Sequence, residues 1–133
     1  MKAVNKVSSC RWIVNATRGE VLARDATLAE SACQKRRGLI GRDGLKPGEG
    51  LILPRCRQVH TIGMRFPIDV VFIDRRDEVV MTCRDLEPRG ISPVAWRARS
   101  AVELPAGTIA RTRTLIGDRI LVDDKVKELL YNV

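Results

Sequence analysis

The segment QVHTIGMRFPIDVVFIDRRDEVVMTCRDL, from Gln58 to Leu86, decides the fold. Its centre, Ile68 to Ile73, is apolar at every position except Asp69. A strand that is apolar on both faces belongs inside a sheet, because both faces must be covered. A polar tip, Asp74 to Asp77, follows this strand, and an apolar run then returns. The segment therefore predicts a long β-hairpin built on a buried strand.

Short apolar runs separated by turn residues indicate further strands on both sides of this hairpin. Towards the N-terminus, Arg11–Val14 and Val21–Arg24 flank the sequence NATRGE, whose Asn and Gly suit a hairpin turn. Three more strands are predicted at Gly50–Leu53, Ser100–Leu104 and Arg119–Val122. About seven short strands result.

Helical segments are few and short. Helix-forming residues predict a helix near Leu28–Arg37 that ends at Gly38. Further short helices are predicted near Thr108–Leu115 and Asp123–Leu130. Because strands and helices do not alternate, a doubly wound parallel sheet is not expected. The sequence predicts a mainly β (α+β) fold, a single antiparallel β-sandwich or barrel with two or three short helices.

The composition is that of one ordinary globular domain. The chain has 133 residues, of which 44% are hydrophobic and 30% charged. Residues 1–10 are polar and are expected to be a loose segment, with residues 11–133 forming one compact domain. No apolar run is long enough for a membrane-spanning helix, so we expect no membrane insertion.

The chain is basic, with 24 Lys and Arg against 16 Asp and Glu, and a net charge of +8. The excess is greatest in residues 1–42, which favours attraction of anions to that part of the chain. Nucleic-acid recognition usually adds aromatic platforms or a groove-reading helix, and aromatic residues are few here. Nucleic-acid binding through the basic N-terminal third is therefore a less favoured alternative.

The four cysteines do not predict a metal site. They are Cys10, Cys33, Cys56 and Cys83, with no C-x-x-C pair and no zinc-finger spacing to the single histidine. We predict no metal and no cofactor. The N-terminus has no apolar signal-peptide core, so a cytoplasmic protein with reduced thiols is expected.

Three residues are candidates for chemistry. His60, the only histidine, precedes the buried strand, while Asp69 and Glu103 are carboxylates in otherwise apolar strands. A carboxylate on an apolar face must be hydrogen-bonded or paired. Asp69 would therefore either accept bonds from loop N–H groups or act at the edge of a pocket. By strand alternation, Asp69 points with Val71 and Ile73.

Five motifs occur in one order along the chain and together resemble the domain of unknown function 192 family. They are RGLIGR (37–42), GEGLIL (48–53), HTIGMRFPIDVVFID (60–74), VELPAGT (102–108) and GDRI (117–120). The resemblance implies a compact, jelly-roll-like, mainly β domain without an established activity. It also implies site residues at the matching positions, which are Arg37, Gly38, Arg42, Met64, Asp69 and Glu103. Many relatives in that family look exported or lipid-anchored, and they often carry an aromatic residue and Met-Lys-Asn-Thr where this chain has His60–Arg65.

Two function classes follow besides nucleic-acid binding. In the first, the RGLIGR, HTIGM and VELPAG segments form the pocket of a binding or accessory domain for a small anionic ligand or a protein partner. Arg37 and Arg42 would supply its positive charge. In the second, the protein is an enzyme in which His60 is the acid–base group, Asp69 orients it and Arg42 clamps the substrate. A nucleophile is missing unless Cys56 folds back onto His60.

Overall fold

The computed structural model describes residues 11–29 and 39–122. Within these ranges the chain forms seven strands and one short helix, so the prediction of a mainly β fold is confirmed. The strands are β1 (Arg11–Asn15), β2 (Glu20–Leu28), β3 (Glu49–Pro54), β4 (Ile68–Ile73), β5 (Val79–Leu86), β6 (Ser100–Pro105) and β7 (Ile120–Val122), and the helix is α1 (Thr108–Thr112).

All seven strands belong to one curled sheet in the order β5-β4-β6-β3-β2-β1-β7. Every neighbouring pair is antiparallel except β2 and β3, which run parallel. The expectation of a wholly antiparallel sheet is therefore wrong at this pair. The connection from Leu28 to Glu49 is long enough to cross back to the starting end of the sheet, as parallel pairing requires.

The predicted hairpins are confirmed at β1–β2 and at β4–β5. Leu28 is the last residue of β2 and does not begin a helix. The rest of the helix predicted over Leu28–Arg37 lies outside the described residues, as do the closing helix and the N-terminal segment. Helix α1 ends at Thr112, earlier than predicted, because Arg113 adopts a left-handed conformation with φ of 56°.

The sheet buries an apolar cluster on each face. On the helix face, alternate strand residues contact α1; this face is defined by Ile52, Val71, Val102, Leu104 and Ile109. On the loop face, the intervening residues lie beneath the connecting loops; this face is defined by Leu39, Leu51, Met64, Val70, Phe72 and Ala101. All six residues of β4 are buried because both faces are covered, as the apolar run predicts.

Asp69 is the polar exception in β4, and the structure gives it a structural role. It points to the helix face and is 1% exposed. Its Oδ1 accepts the N–H of Asp85 at 2.9 Å. Its Oδ2 accepts the N–H groups of Gly107 at 3.1 Å and Ile109 at 2.8 Å. Anchoring by backbone N–H groups is thus confirmed, but only Gly107 is a loop residue, since Asp85 belongs to β5 and Ile109 to α1. Asp69 fills the anion position at the start of α1.

A second buried carboxylate, Asp118, joins the β1–β2 turn to the segment before β7. Asp118 accepts hydrogen bonds from Asn15 Nδ2, from Arg18 Nε and from the N–H of Leu115. Burial raises the pKa of Asp118, but these hydrogen bonds and the charge of Arg18 outweigh it and hold the pKa below its usual value. Asp118 lies in the GDRI motif and was not predicted as an anchor.

We expect Asp69→Ala to destabilise the protein by more than Asp74→Ala does. Loss of the Asp69 carboxylate leaves three N–H groups without their acceptor, at a cost of about 1–3 kcal/mol or more in the free energy of unfolding. Asp74 accepts the N–H groups of Arg76 and Glu78, but those two residues are exposed and water can replace the carboxylate. The cost of Asp74→Ala is about 0.5 kcal/mol. Urea unfolding measures both; equal midpoints for the two variants would contradict the assignment.

Candidate functional site

The three segments expected to form a pocket meet on the loop face. Leu39 of RGLIGR and Met64 of HTIGM are buried there in one apolar cluster. Glu103 of VELPAG lies on the same face, because its direct cross-strand neighbours are Leu51 in β3 and Val70 in β4. Residues 29 and 39, which flank a stretch outside the described ranges, also belong to this cluster.

Glu103 is the unusual group of this face. It is 4% exposed and lies between apolar neighbours. Among the described residues, its Oε1 is buried and has no hydrogen-bond partner. Buried polar atoms in native proteins are almost always hydrogen-bonded, so an orphaned carboxyl oxygen calls for a specific explanation.

Burial controls the protonation of Glu103. Removal from water disfavours the charged form, and this desolvation raises the pKa of Glu103 from 4.5 to about 7. Near neutral pH, the carboxyl is therefore divided between its protonated and ionised forms. It can donate a hydrogen bond in the first form and accept one in either.

Asp69 and Glu103 do not form a carboxylate pair. Asp69 is directly opposite Leu104, the next residue after Glu103, so the two carboxyl groups project from opposite faces of the sheet. Both oxygens of Asp69 also accept backbone N–H groups. The structure therefore does not place Asp69 in a shared site with Glu103.

His60 lies on the outside of the HTIGM loop. It is exposed, and its Nδ1 accepts the N–H of Ile62 at 3.3 Å. The anchor of this loop is the next residue, Thr61, whose buried hydroxyl accepts the N–H of Gly90 at 2.7 Å. Asp69 does not serve as the orienting partner of His60, since its own oxygens are engaged on the helix face. Thr61 was not predicted from the sequence, although a small hydroxyl residue directly before Ile62 and Gly63 was an available signal.

The cysteine nearest His60 in sequence has its own partner. Cys56 Sγ donates to the carbonyl of Gln58 at 3.2 Å, within the same loop. This contact does not direct the thiol to His60. In residues 11–29 and 39–122, no group of three or more His, Cys, Asp or Glu side chains is placed to hold a metal ion.

The arginines near the loop face form surface ion pairs. Arg42 Nη2 lies 2.9 Å from Glu49 Oε1, and Arg65 Nη1 lies 2.9 Å from Asp43 Oδ1. Glu49 also accepts the N–H of Lys46 at 2.8 Å, which fixes it as the partner of Arg42. Arg37 and Gly38, the other two predicted ligand-binding residues, lie outside the described residues.

A separate polar groove of about 670 Å³ is present beside α1. It is lined by the first half of β2, by residues 46–49 and by Arg111. Its charged residues are Glu20, Arg24, Asp25, Lys46, Glu49 and Arg111, three of each sign. Opposite charges therefore balance along its walls.

Among the described residues, no helix has the length and apolar character needed to cross a bilayer.

Two solved structures share the fold of this chain. A protein of unknown function from Novosphingobium aromaticivorans is 24% identical, with a TM-score of 0.72, and the match covers 84% of this chain and 82% of that one. A Sinorhizobium meliloti protein, whose name presents it as a candidate transcription regulator, is 22% identical with a TM-score of 0.73. That match covers 84% of this chain and 91% of the other. At these identities the likeness shows the fold alone.

Comparison with curated proteins found no match. A family model, DUF192, described as "Uncharacterized ACR", matches residues 13–122, which include six of the seven strands in full and α1. The matched range is most of the chain and contains all five motifs quoted from the sequence. The protein therefore belongs to the domain of unknown function 192 family.

Proposed function

We propose that the protein is a small-molecule-binding domain and that Glu103 is the polar group at the floor of its site on the loop face. The observation that supports this proposal is the buried Oε1 of Glu103, which has no partner among the described residues. A ligand hydroxyl or amine would supply the missing hydrogen bond. The cross-strand neighbours Leu51 and Val70, and Met64 of the same apolar cluster, would contact the rest of the ligand.

The cost of Glu103 to stability supports a binding role. A buried carboxyl oxygen without a hydrogen bond, such as Oε1 of Glu103 within the described part of the chain, destabilises the folded protein, because it has given up water and gained no replacement. Residues that oppose stability in this way are typical of binding and catalytic sites. Asp69, which is equally buried, has three donors and needs no ligand to explain it.

The exposed Arg42 bears on the class of ligand that the proposed site would take. Arg42 would hold an anionic group of the ligand only by exchanging its contact with Glu49 for the ligand. The floor of the site, in contrast, calls for a hydrogen-bond donor. A compound with a hydroxyl or amine on an apolar body therefore fits better than a simple anion, and an acidic group on the same compound would lie towards Arg42.

Binding is favoured over catalysis by the positions of the proposed acid–base residues. The enzyme hypothesis requires Asp69 to orient His60, but the Asp69 carboxylate is engaged by Asp85, Gly107 and Ile109. His60 is instead an exposed residue in a loop anchored by Thr61. Glu103 is the buried carboxyl group that a ligand on this face would meet.

The pH dependence of stability should report Glu103. Because its pKa is about 7 in the folded protein against 4.5 as the ordinary value, the folded state holds this proton more tightly than the unfolded state. The stabilisation that the folded state gains by holding the Glu103 proton is complete below pH 4.5. It is lost as the pH rises through 7. Relative to Glu103→Gln, the wild-type protein should lose about 3 kcal/mol between pH 4.5 and pH values well above 7.

Urea unfolding at a series of pH values measures this difference. Glu87→Gln, at an exposed position, is the matched control and should follow the wild-type curve. If the curves of the wild type and Glu103→Gln stay parallel across this range, Glu103 does not titrate as proposed.

Ligand binding should raise the melting temperature of the wild type but not of Glu103→Leu. The probes are a panel of small amines, polyols, sugars and amino acids, because each presents a donor for the carboxyl. We expect at least one class to stabilise the wild type and Glu87→Gln in a concentration-dependent way. The proposal fails if no class does so, or if Glu103→Leu is stabilised equally by the same compound.

A further inference from the structure

Three loops that are distant in sequence meet at one end of the sheet. Strand β6 runs antiparallel between β3 and β4, so its first residue, Ser100, lies opposite the last residues of both, Pro54 and Ile73. Each of these loops has two arginines within three residues of the strand end or within the turn itself. We call this surface the arginine end; it is defined by Arg55, Arg57, Arg75, Arg76, Arg97 and Arg99.

The arginine end has an excess of positive charge. Its six arginines are accompanied by three acidic residues, Asp74, Asp77 and Glu78. The Asp74 carboxylate accepts the N–H groups of Arg76 at 2.8 Å and Glu78 at 3.1 Å, so it holds the β4–β5 turn. The hydrogen bond from Glu78, with that from Arg76 and the charges of Arg76 and Arg97, outweighs burial and keeps the pKa of Asp74 below its usual value.

None of the six arginines of this end forms an ion pair among the described residues, although Arg57 Nε donates a hydrogen bond to the carbonyl of Ala98 at 3.4 Å. The ion pairs of the described residues involve other arginines, namely Arg18, Arg42, Arg65 and Arg113. At the arginine end, all six arginines are exposed. Arg55, Arg75 and Arg99 line a cleft of about 270 Å³ together with Asp74 and Asp77.

An exposed tryptophan stands in the same group of loops. Trp96 is 74% exposed, and it directly precedes Arg97. Its position is fixed by a turn in which Ala98 N–H donates to the carbonyl of Ala95 at 2.9 Å. Ala95 N–H in turn donates to the carbonyl of Arg57 at 2.7 Å. A hydrogen-bonded turn thus presents an indole ring to solvent in the loop that also carries Arg97 and Arg99.

From the six arginines and the exposed Trp96, we propose that the arginine end binds single-stranded nucleic acid. Guanidinium groups bind phosphate oxygens in a fork, and an exposed indole offers a platform on which an unpaired base can stack. Helix α1 follows the opposite end of β6, so the described loops of the arginine end hold no helix to enter a major groove. An acidic peptide would bind the guanidinium groups but would leave the indole ring of Trp96 without a contact. A membrane surface would need apolar neighbours, whereas Trp96 is followed by Arg97.

Binding of a fluorescent fifteen-nucleotide oligo(dT), followed by anisotropy at several salt concentrations, tests this proposal. The variant R75E/R99E removes two arginines that line the cleft, and W96A removes the platform. The control R84E/R111E reverses two exposed arginines elsewhere and carries the same net charge. We expect R75E/R99E to bind at least about tenfold more weakly. Its dependence on salt should be shallower by about 0.7 for each phosphate group that the variant no longer binds.

W96A should lower the affinity about tenfold while leaving the salt dependence unchanged, since stacking releases no counterions. W96F, which keeps a ring, should recover part of the affinity. Circular dichroism verifies that each variant folds, and the control should stay within about twofold of the wild type. An equal fall in affinity in the control, or an unchanged salt dependence in R75E/R99E, would show unspecific charge attraction and overturn the proposal. Absence of binding at low salt would do so too, as would tighter binding to a duplex, to polyglutamate or to anionic vesicles.

Discussion

The carboxylate of Asp69 connects three parts of the fold that are far apart in sequence. From the second position of β4, it reaches Asp85 near the end of β5 and both Gly107 and Ile109 at the start of α1. These bonds fix where the chain turns from β6 into the helix. They thereby help to set the register of β6 against β4, in which Asp69 is opposite Leu104 and Glu103 is opposite Val70. The position of Glu103 on the loop face depends on this register.

Asp69 in β4 and Glu103 in the neighbouring strand β6 are both buried, but their environments differ. Asp69 is surrounded by donors, so its burial is compensated and its removal is expected to be costly. Glu103 has apolar neighbours and no partner for Oε1 among the described residues, so burial raises its pKa to about 7. The contrast explains why we assign one residue to stability and propose the other for binding. Residue type alone, an acid within an apolar strand, did not separate them.

Local patterns predicted the strands. Pairing between distant segments decided the direction of neighbouring strands and which side chains share a face. Alternation in Ile68–Ile73 placed Asp69 on the correct face, because side-chain direction in a strand needs no knowledge of neighbours. The parallel pairing of β2 with β3 and the opposite faces of Asp69 and Glu103 depend on register between distant segments. The contact of Arg42 with Glu49 likewise arises from a loop closure that spacing does not reveal. The arginine end was not predicted for the same reason: its arginine pairs occur in three separate loops, whereas charge counted along the chain reveals only contiguous stretches.

The central claim is that the Glu103 carboxyl is buried without a hydrogen-bond donor for Oε1 among the described residues. The titration of Glu103 tests this claim most directly. Carbon-13 NMR of the side-chain carboxyl groups, assigned to Glu103 by its absence from Glu103→Gln, would give its pKa in the folded protein. A midpoint of about 7 is expected from its burial among Leu51 and Val70. A midpoint near 4.5, the ordinary value, would show that the carboxyl is solvated or already hydrogen-bonded and would contradict the proposed site.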